Sequence, residues 1–458
     1  MADFNLKMIK ISFVVVIAML VLAMVSGMNI LRGRKFVDGK KVAMEKSYIE
    51  YARAAKAIDP NSGENVVSIR QTYAKSVPVL LYHGIITDNN WEEDGTNISL
   101  KNFQDQMFAL KREGYQTVTM ADFYDYMQGK KNLPDKSFMI TFDDGRKDSY
   151  YQSDPLFRAL GFNAVMFLIS GRSLGANDAG DNFYLGKDQL ADMIKSGRWE
   201  VQSHGDFDHD WMKLDGYNTT GHFLSNRLWI ADKNRNETEG EAENRILADL
   251  GSSKKKITDE LGQHVVAFAY PFNDYGQQQE NFPGSQKFLA ENITKIYPLT
   301  FYQEEINEPI VNFSNPGTYM IKRINVDDSM NTDDLLEVLV QNREKSIPYQ
   351  DSFWSNYGWR NKWGASHVWG DLNLTESEDK GGNMTVLMGT SLWKDYSVRS
   401  KVSIVDGSSI SQAVRYQNSE NYAVCDFEVN DMSIIKKING ESFIVKEQSV
   451  NWPNLVGT

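Results

Sequence analysis

Ser137-Phe138-Met139-Ile140-Thr141-Phe142-Asp143-Asp144-Gly145 is the stretch that decides the fold. The apolar run up to Phe142 reads as a short strand buried on both faces, and the two carboxylates and glycine that close it mark a point where the backbone turns. Two adjacent acids at the end of a buried strand demand a cation, because an unpaired buried carboxylate is costly. The groups that satisfy them have to come from other strand ends.

Outward from that strand, apolar runs alternate with helical patterns. Val77-Pro78-Val79-Leu80-Leu81-Tyr82-His83-Gly84 is a second buried run that ends in a histidine and a glycine. Leu100 to Glu113 carries Phe103, Met107 and Leu110 at helical spacing and stops at Gly114; Thr117 to Thr119 reads as a strand and Met120 to Gln128 as a helix. After Gly145 come a helix near Asp154 to Leu160, a strand Ala164 to Ile169, a helix Lys187 to Ser196 and a strand Trp199 to Ser203. This order predicts an α/β fold with a parallel sheet and helices outside it, and leaves both an open sheet and a barrel available.

The strand Trp199 to Ser203 runs into a polar cluster of His204, Asp206, Asp208, His209 and Asp210. Residues five apart lie about 140° apart on a helix and on opposite faces of a strand. The two imidazoles converge only if the chain curls, which Gly205 permits. Two imidazoles and a carboxylate from another strand end make a divalent-metal site with positions left for water and substrate. Further on, Trp211 to Gly240 is a long polar insertion with the character of a substrate-contacting loop, on which His222 reads as a surface residue. A helix follows from Glu243 to Leu261, and its Lys254-Lys255-Lys256 run reads as a solvated face.

Thr141-Phe142-Asp143-Asp144-Gly145 with Ser203-His204 and His209 resembles the metal-binding signature of the polysaccharide deacetylases, carbohydrate esterase family 4. Similar residues recur at Val79 to His83, Phe103 with Leu110, Gly114-Tyr115, Leu133-Pro134, Asp154-Pro155-Leu156 and Phe167-Leu168, so the resemblance covers about Val77 to Val340. The histidine spacing of five is similar to the branch that deacetylates poly-N-acetylglucosamine. The resemblance implies a distorted parallel (β/α) barrel, with Asp144, His204 and His209 as ligands of a divalent metal, Zn2+ by preference, and Asp143 as general base. Val265 to Asn273 is similar to a later family motif, which implies that Phe272 gives a backbone N–H to the oxyanion and that Tyr270 contacts substrate; His83, at a strand end facing the same mouth, reads as a structural support or a further substrate contact. Two family features are missing. Ala269 stands where an arginine usually orients the catalytic aspartate, and no histidine follows at the family's late general-acid position, where Tyr319 to Ile324 has strand character only. Leaving-group protonation is open between a protonated Asp143, a metal-bound water and His222.

Lys7 and Lys10 precede an uncharged run over residues 11–31, which as a helix spans about the 30 Å of a bilayer core. Residues 1–34 are expected to form a membrane anchor, or a signal segment cut near Val25-Ser26-Gly27 to give a secreted protein. The cations Arg32, Arg34, Lys35, Lys40 and Lys41 would by themselves hold the following domain in the cytoplasm; the glycan-related motifs favour an extracytoplasmic one. Residues 35–76 read as a helical spacer and 77–345 as the deacetylase-like domain. Residues 350–458 change to short alternating runs: Met384 to Met388, Tyr396 to Val405, Gln412 to Tyr416, Tyr422 to Phe427, and Ser433 to Ile438 joined to Ser442 to Lys446 through Asn439-Gly440. That pattern predicts an all-β sandwich. It resembles a concanavalin-like jelly roll, though short for a complete one, and Trp354, Trp359, Trp363 and Trp369 are its candidate sugar contacts.

A net charge of −12, from 49 basic and 61 acidic residues, argues against nucleic acid as a partner. The single Cys425 excludes an internal disulfide framework and a multi-cysteine zinc site. The expected partners are therefore an N-acetylated polysaccharide and, through the N-terminal run, a membrane. The expected function is metal-dependent hydrolysis of N-acetyl groups from an amino-sugar polymer. The alternatives are a catalytically impaired glycan-binding or surface-assembly protein, and a peptidoglycan or chitin deacetylase.

Overall fold

The computed structural model describes residues 39–58, 73–88, 90–175, 182–303, 310–354, 358–376, 381–390 and 392–450. The apolar run at 11–31 lies outside the described residues, and among those described no helix is long and apolar enough to cross a membrane. The chain divides into two compact units, residues 1–304 with 311–336, and residues 305–310 with 337–458.

The first unit is a closed barrel of seven parallel strands: β1 (Ser76–Tyr82), β2 (Ser137–Phe142), β3 (Ala164–Leu168), β4 (Trp199–Ser203), β5 (Ala267–Ala269), β6 (Leu299–Gln303) and β7 (Met320–Asn325). β1 closes the ring, pairing with β2 through Val79↔Met139 and with β7 through Leu80↔Ile324. The sequence pattern left sheet and barrel open because closure depends on which strands are neighbours, and that is not a local property. The strands are largely buried because the lumen fills one face and helices cover the other. Helices α1 (residues 39–58), α2 (Leu100–Arg112), α3 (Met120–Met127), α4 (Lys147–Leu160), α5 (Lys187–Lys195) and α6 (Glu239–Leu261) belong to this unit. The spacer helix α1 docks on α4 through an Arg158–Glu45 ion pair at 2.6 Å, with the Arg158 guanidinium over the Tyr48 ring.

Alternation along the strands sorts the core. Val79, Met139, Val165, Phe167, Ala267, Leu299, Phe301 and Ile321 form one buried cluster, joined by Phe123, Tyr126 and Met127 of α3. On the other face Phe142, Phe157 and Trp199 pack together with Phe103 and Tyr82. Asp143 shares the parity of Met139, and Arg323 that of Ile321, so both carry the lumen face toward the mouth.

The barrel is distorted at one seam. β4 and β5 share a single paired position, Phe268↔Ser203. The Gln202 side chain replaces the missing ladder: its Oε1 accepts from the Val266 and Ala267 N–H groups, each at 2.9 Å, and its Nε2 donates to the His264 carbonyl. β4 is also fixed from outside, where the buried Asp154 carboxylate accepts from Arg198 and from Trp199 Nε1 at 3.0 Å.

In the second unit, β8 (Ser409–Asn418), β9 (Asn421–Glu428), β10 (Asp431–Ile438) and β11 (Glu441–Ser449) form a consecutive antiparallel meander. The Asn439-Gly440 hairpin is present, with φ of +50° and +83°, as its turn type requires. The expected strand Tyr396 to Val405 is not formed. The all-β character holds, and the jelly roll is not confirmed: among the described residues neighbours follow chain order, and no described side chain of the four strands is fully buried, as one face of a sandwich strand would be.

Asp154→Ala removes the acceptor for both Arg198 and Trp199 and is expected to lower the unfolding free energy by about 3 kcal/mol, measured by urea denaturation. A loss below about 0.5 kcal/mol, the size of an ordinary surface change, would show that this anchor does not hold β4.

Candidate metal centre

Three tight backbone features bring the site together. At the end of β2, Asp144 and Gly145 are both left-handed, with φ of +72° and +77°. Asp143 thereby stays in the lumen while Asp144 swings to the rim, and a Cβ on Gly145 would lie 2.5 Å from Leu168 Cδ1. After β4, Gly205 is left-handed with φ +84°, the curl expected between the two histidines. After β5, Phe272 and Asn273 are left-handed at +55° and +57°, uncommon for such residues and the kind of strain found at functional sites. Asn273 is pinned by its side chain, whose amide meets both the N–H and the carbonyl of Gln303.

Asp144, His204 and His209 place one ligand atom each within 4.8 Å of one another. His204 Nε2 and His209 Nε2 stand 3.6 and 3.3 Å from Asp144 Oδ1. That oxygen is buried and makes no well-formed hydrogen bond among the described residues. Three donors facing one point without bonding each other fit a divalent cation. His204 Nδ1 meets the Ala269 carbonyl at 2.9 Å, which assigns the proton to Nδ1 and frees Nε2 as a ligand. Burial pushes the His204 imidazole down to about 4, against the pull of Asp143. For His209 burial acts in the same sense, but Asp144 outweighs it and holds the ring above its ordinary value. Burial works to raise the Asp144 carboxyl, yet His209, His204 and His83 together hold it well below the usual range.

Arg323 supplies the cation that the two acids demanded. Its Nη1 and Nη2 donate to Asp143 Oδ1 and Oδ2 at 2.6 and 2.8 Å, and its side chain is 0% exposed. Its guanidinium also lies over the Phe167 ring. Burial would raise Asp143, but Arg323 first, then His204, keeps it below its ordinary value and ionised. The missing arginine at Ala269 is thus replaced from β7. The available signal was the Lys322-Arg323 pair inside the strand-like run Tyr319 to Ile324.

The polar cluster after β4 divides by role. Asp206 accepts from Ser170, Ser252 and Lys256, the last at 2.8 Å to each oxygen. Lys256 is therefore an internal anchor of the histidine loop and not part of a solvated face. Asp249 receives the Asp206 and Phe207 N–H groups. Asp208 is buried with both oxygens unpartnered among the described residues, and burial followed by Asp249 pushes it well above its ordinary value. Asp210 pairs with Arg172 at the surface.

Four further expectations concern aromatic and imidazole groups. The Phe272 ring stacks 4.5 Å from His209, which puts its backbone in the wall of the site. Tyr270 is 2% exposed, and its ring packs against Phe268 and Tyr275. His222 is buried, 3.6 Å from Asp274 Oδ2, with its ring against Phe272 and Trp211; the surface reading failed because the insertion folds back as a hairpin, Trp211–Lys213 with Thr220–His222. His83 lies at the end of β1, lowered by burial and coupled to Asp143 and Asp144.

The C-terminal mouth of the barrel thus carries two histidines and two aspartates, three of which could hold a metal ion. Residues 130–282 match the polysaccharide deacetylase family, and the chain contains a polysaccharide deacetylase domain, that of a hydrolase acting on carbon–nitrogen amide bonds. It is 24% identical over 278 residues to the Bacillus subtilis (strain 168) protein YxkH, covering 60% of this chain and 81% of that one. It is 25% identical over 176 residues to the poly-beta-1,6-N-acetyl-D-glucosamine N-deacetylase of Staphylococcus aureus (strain MSSA476), covering 38% of this chain and 53% of that enzyme. The chain thus spans about half the length of the staphylococcal relative. Among solved structures, a de-N-acetylase from Aggregatibacter actinomycetemcomitans aligns with a TM-score of 0.47 and 21% identity, over 57% of this chain and 99% of that one.

Arg323→Met leaves Asp143 buried without its partner and is expected to destabilise the protein by about 3–5 kcal/mol, read by urea denaturation. The double variant Arg323→Met with Asp143→Leu should recover most of that loss. A single variant as stable as the native chain would contradict the role given to this pair.

Proposed function

We propose that the domain hydrolyses N-acetyl groups from an amino-sugar polysaccharide of the poly-N-acetylglucosamine type, with a divalent metal, Zn2+ by preference, held by Asp144, His204 and His209. One observation carries the reading: three ligand atoms within 4.8 Å of one another, with a second carboxylate, Asp143, beside them and kept ionised by Arg323. A divalent ion bound there supplies a water of lowered pKa and polarises the amide carbonyl. Asp143, whose Oδ2 is 3.9 Å from His204 Nε2, takes the proton of the attacking water. Arg323 fixes both its oxygens, so one acid serves the ion and the other the proton. The Phe272 N–H faces the developing oxyanion. Asp143, protonated by the attacking water, returns the proton to the leaving amine.

The alternative of an inactive, glycan-binding barrel drew on two absences, the arginine at Ala269 and the late histidine. Arg323 takes the place of the first, and a protonated Asp143 does the work of the second. The polymer is proposed from the relative named for poly-beta-1,6-N-acetyl-D-glucosamine; peptidoglycan and chitin are the competing substrates. Polymers of this class lie outside the cytoplasm, so the domain is placed there, attached to the membrane or released according to the fate of residues 11–31.

Acetate release from oligomers of β-1,6- and β-1,4-linked N-acetylglucosamine, with and without a chelator, tests the reading. The expected result is chelator-sensitive release, restored by Zn2+, with the β-1,6 oligomer preferred. No release from any oligomer by the metal-loaded protein would overturn it. Asp143→Asn is expected to lower turnover by about 10²–10⁴-fold with metal content unchanged, whereas His204→Ala loses the metal. Equal metal loss in both variants would refute the division of roles between the two acids.

A further inference from the structure

Unit two displays a pair of large aromatic side chains that nothing in the reaction uses. Trp354 and Trp369 are 69% and 71% exposed, and their rings meet edge to face, 6.1 Å apart at 77°. Single exposed apolar residues are ordinary; two exposed indoles in contact mark an interaction site. Their support is rigid. Trp369 is in the turn of the hairpin Ala365–Val368 with Leu372–Thr375, where Gly370 is left-handed at φ +77°. The Gly370 N–H donates to the Phe353 carbonyl at 2.7 Å, which ties this turn to the backbone that carries Trp354.

Phe353 is itself left-handed at φ +57°, a strained state for a phenylalanine. Asp351 holds it there. Its Oδ1 accepts the Phe353 N–H at 2.8 Å, and its Oδ2 accepts from Tyr349 Oη and Trp359 Nε1, also at 2.8 Å each. The Phe353 ring packs on Trp359. The inner aromatic residues of this segment are therefore spent on fixing the backbone, while Trp354 is turned to solvent. Next to the turn, the exposed cross-strand pair His367 and Asn373 offers hydrogen-bond donors and acceptors, and Asp371 adds an exposed carboxylate.

We infer that Trp354 and Trp369 form a second glycan-binding site, separate from the metal centre, that takes a β-linked glucosamine polymer, acetylated or partly deacetylated. The chemistry favours a sugar. Flat indole faces match the C–H faces of pyranose rings, and the polar residues beside them match hydroxyl and amide groups. Asp371 and the chain's net charge of −12 suit the cationic amines that deacetylation exposes. The choice of an amino-sugar polymer rests on the proposed reaction; the site does not.

Affinity electrophoresis of the full chain in gels containing poly-β-1,6-N-acetylglucosamine, native or partly deacetylated, tests this. A cellulose-derivative gel separates amino-sugar recognition from general sugar stacking. Retardation by the amino-sugar polymer is expected, with the dissociation constant raised about tenfold or more in Trp354→Ala/Trp369→Ala and largely recovered in Trp354→Tyr/Trp369→Tyr. Circular dichroism of the alanine variant checks that unit two keeps its strands; if it does not, Asp371→Asn and His367→Ala, which leave the indoles in place, should each weaken retardation. Unchanged retardation in all these variants would overturn the inference. Equal retardation by the cellulose derivative would overturn the assignment to an amino sugar. A protein retarded through this pair that releases no acetate would fail the proposed reaction and keep this site.

Discussion

The Asp143–Arg323 ion pair is the constraint on which the rest of the site depends. Both groups occupy lumen-facing positions of barrel strands, above a layer of Phe167, Phe301 and Ile321. Neither could be there alone, since a fully buried unpaired charge would be neutralised or expelled. The bidentate geometry fixes the plane of the Asp143 carboxylate and leaves it charged at the point where β2 ends. With that acid committed to Arg323, the left-handed turn at Asp144 presents the second acid to the two imidazoles. Two adjacent carboxylates thus acquire different environments from a single backbone turn.

The histidine loop shows the same economy. His204 is oriented by the Ala269 carbonyl across the weakest seam of the barrel, where Gln202 substitutes for ladder hydrogen bonds. Distortion of the sheet and orientation of a ligand are therefore one feature. His209 reaches the centre because Gly205 reverses the chain and because Asp206, held by Lys256, Ser170 and Ser252, stops it from relaxing. Phe272 closes this side, stacked between His209 and His222.

Much of this was legible in the sequence. The strand Trp199 to Ser203 and the start of the helix at Lys187 have the bounds their periodicity and flanking signals suggest, and the motif residues Asp143, Asp144, His204 and His209 converge. What stayed hidden is long-range. Barrel closure follows from the β1–β2 and β1–β7 pairings, which no local pattern encodes. Arg323 lies in a strand whose sequence does not show which residue it meets; the fold brings it to Asp143. His222 and Lys256 read as surface residues because their partners, Asp274 and Asp206, are distant in sequence. The helix expected near Asp154 to Leu160 starts at Lys147, and α4 carries Pro155 inside it. The jelly-roll reading is not confirmed for a related reason, since alternation reports strands and says nothing about which sheets face each other.

A crystal structure of the zinc-loaded protein, with the metal located by anomalous scattering, tests the central claim most directly. The account predicts one ion bound by His204 Nε2, His209 Nε2 and an Asp144 carboxylate oxygen at about 2.0–2.2 Å, with Asp143 outside the coordination shell and still paired with both Arg323 nitrogens. An ion bridged by Asp143 and Asp144, with Arg323 displaced from Asp143, would contradict it.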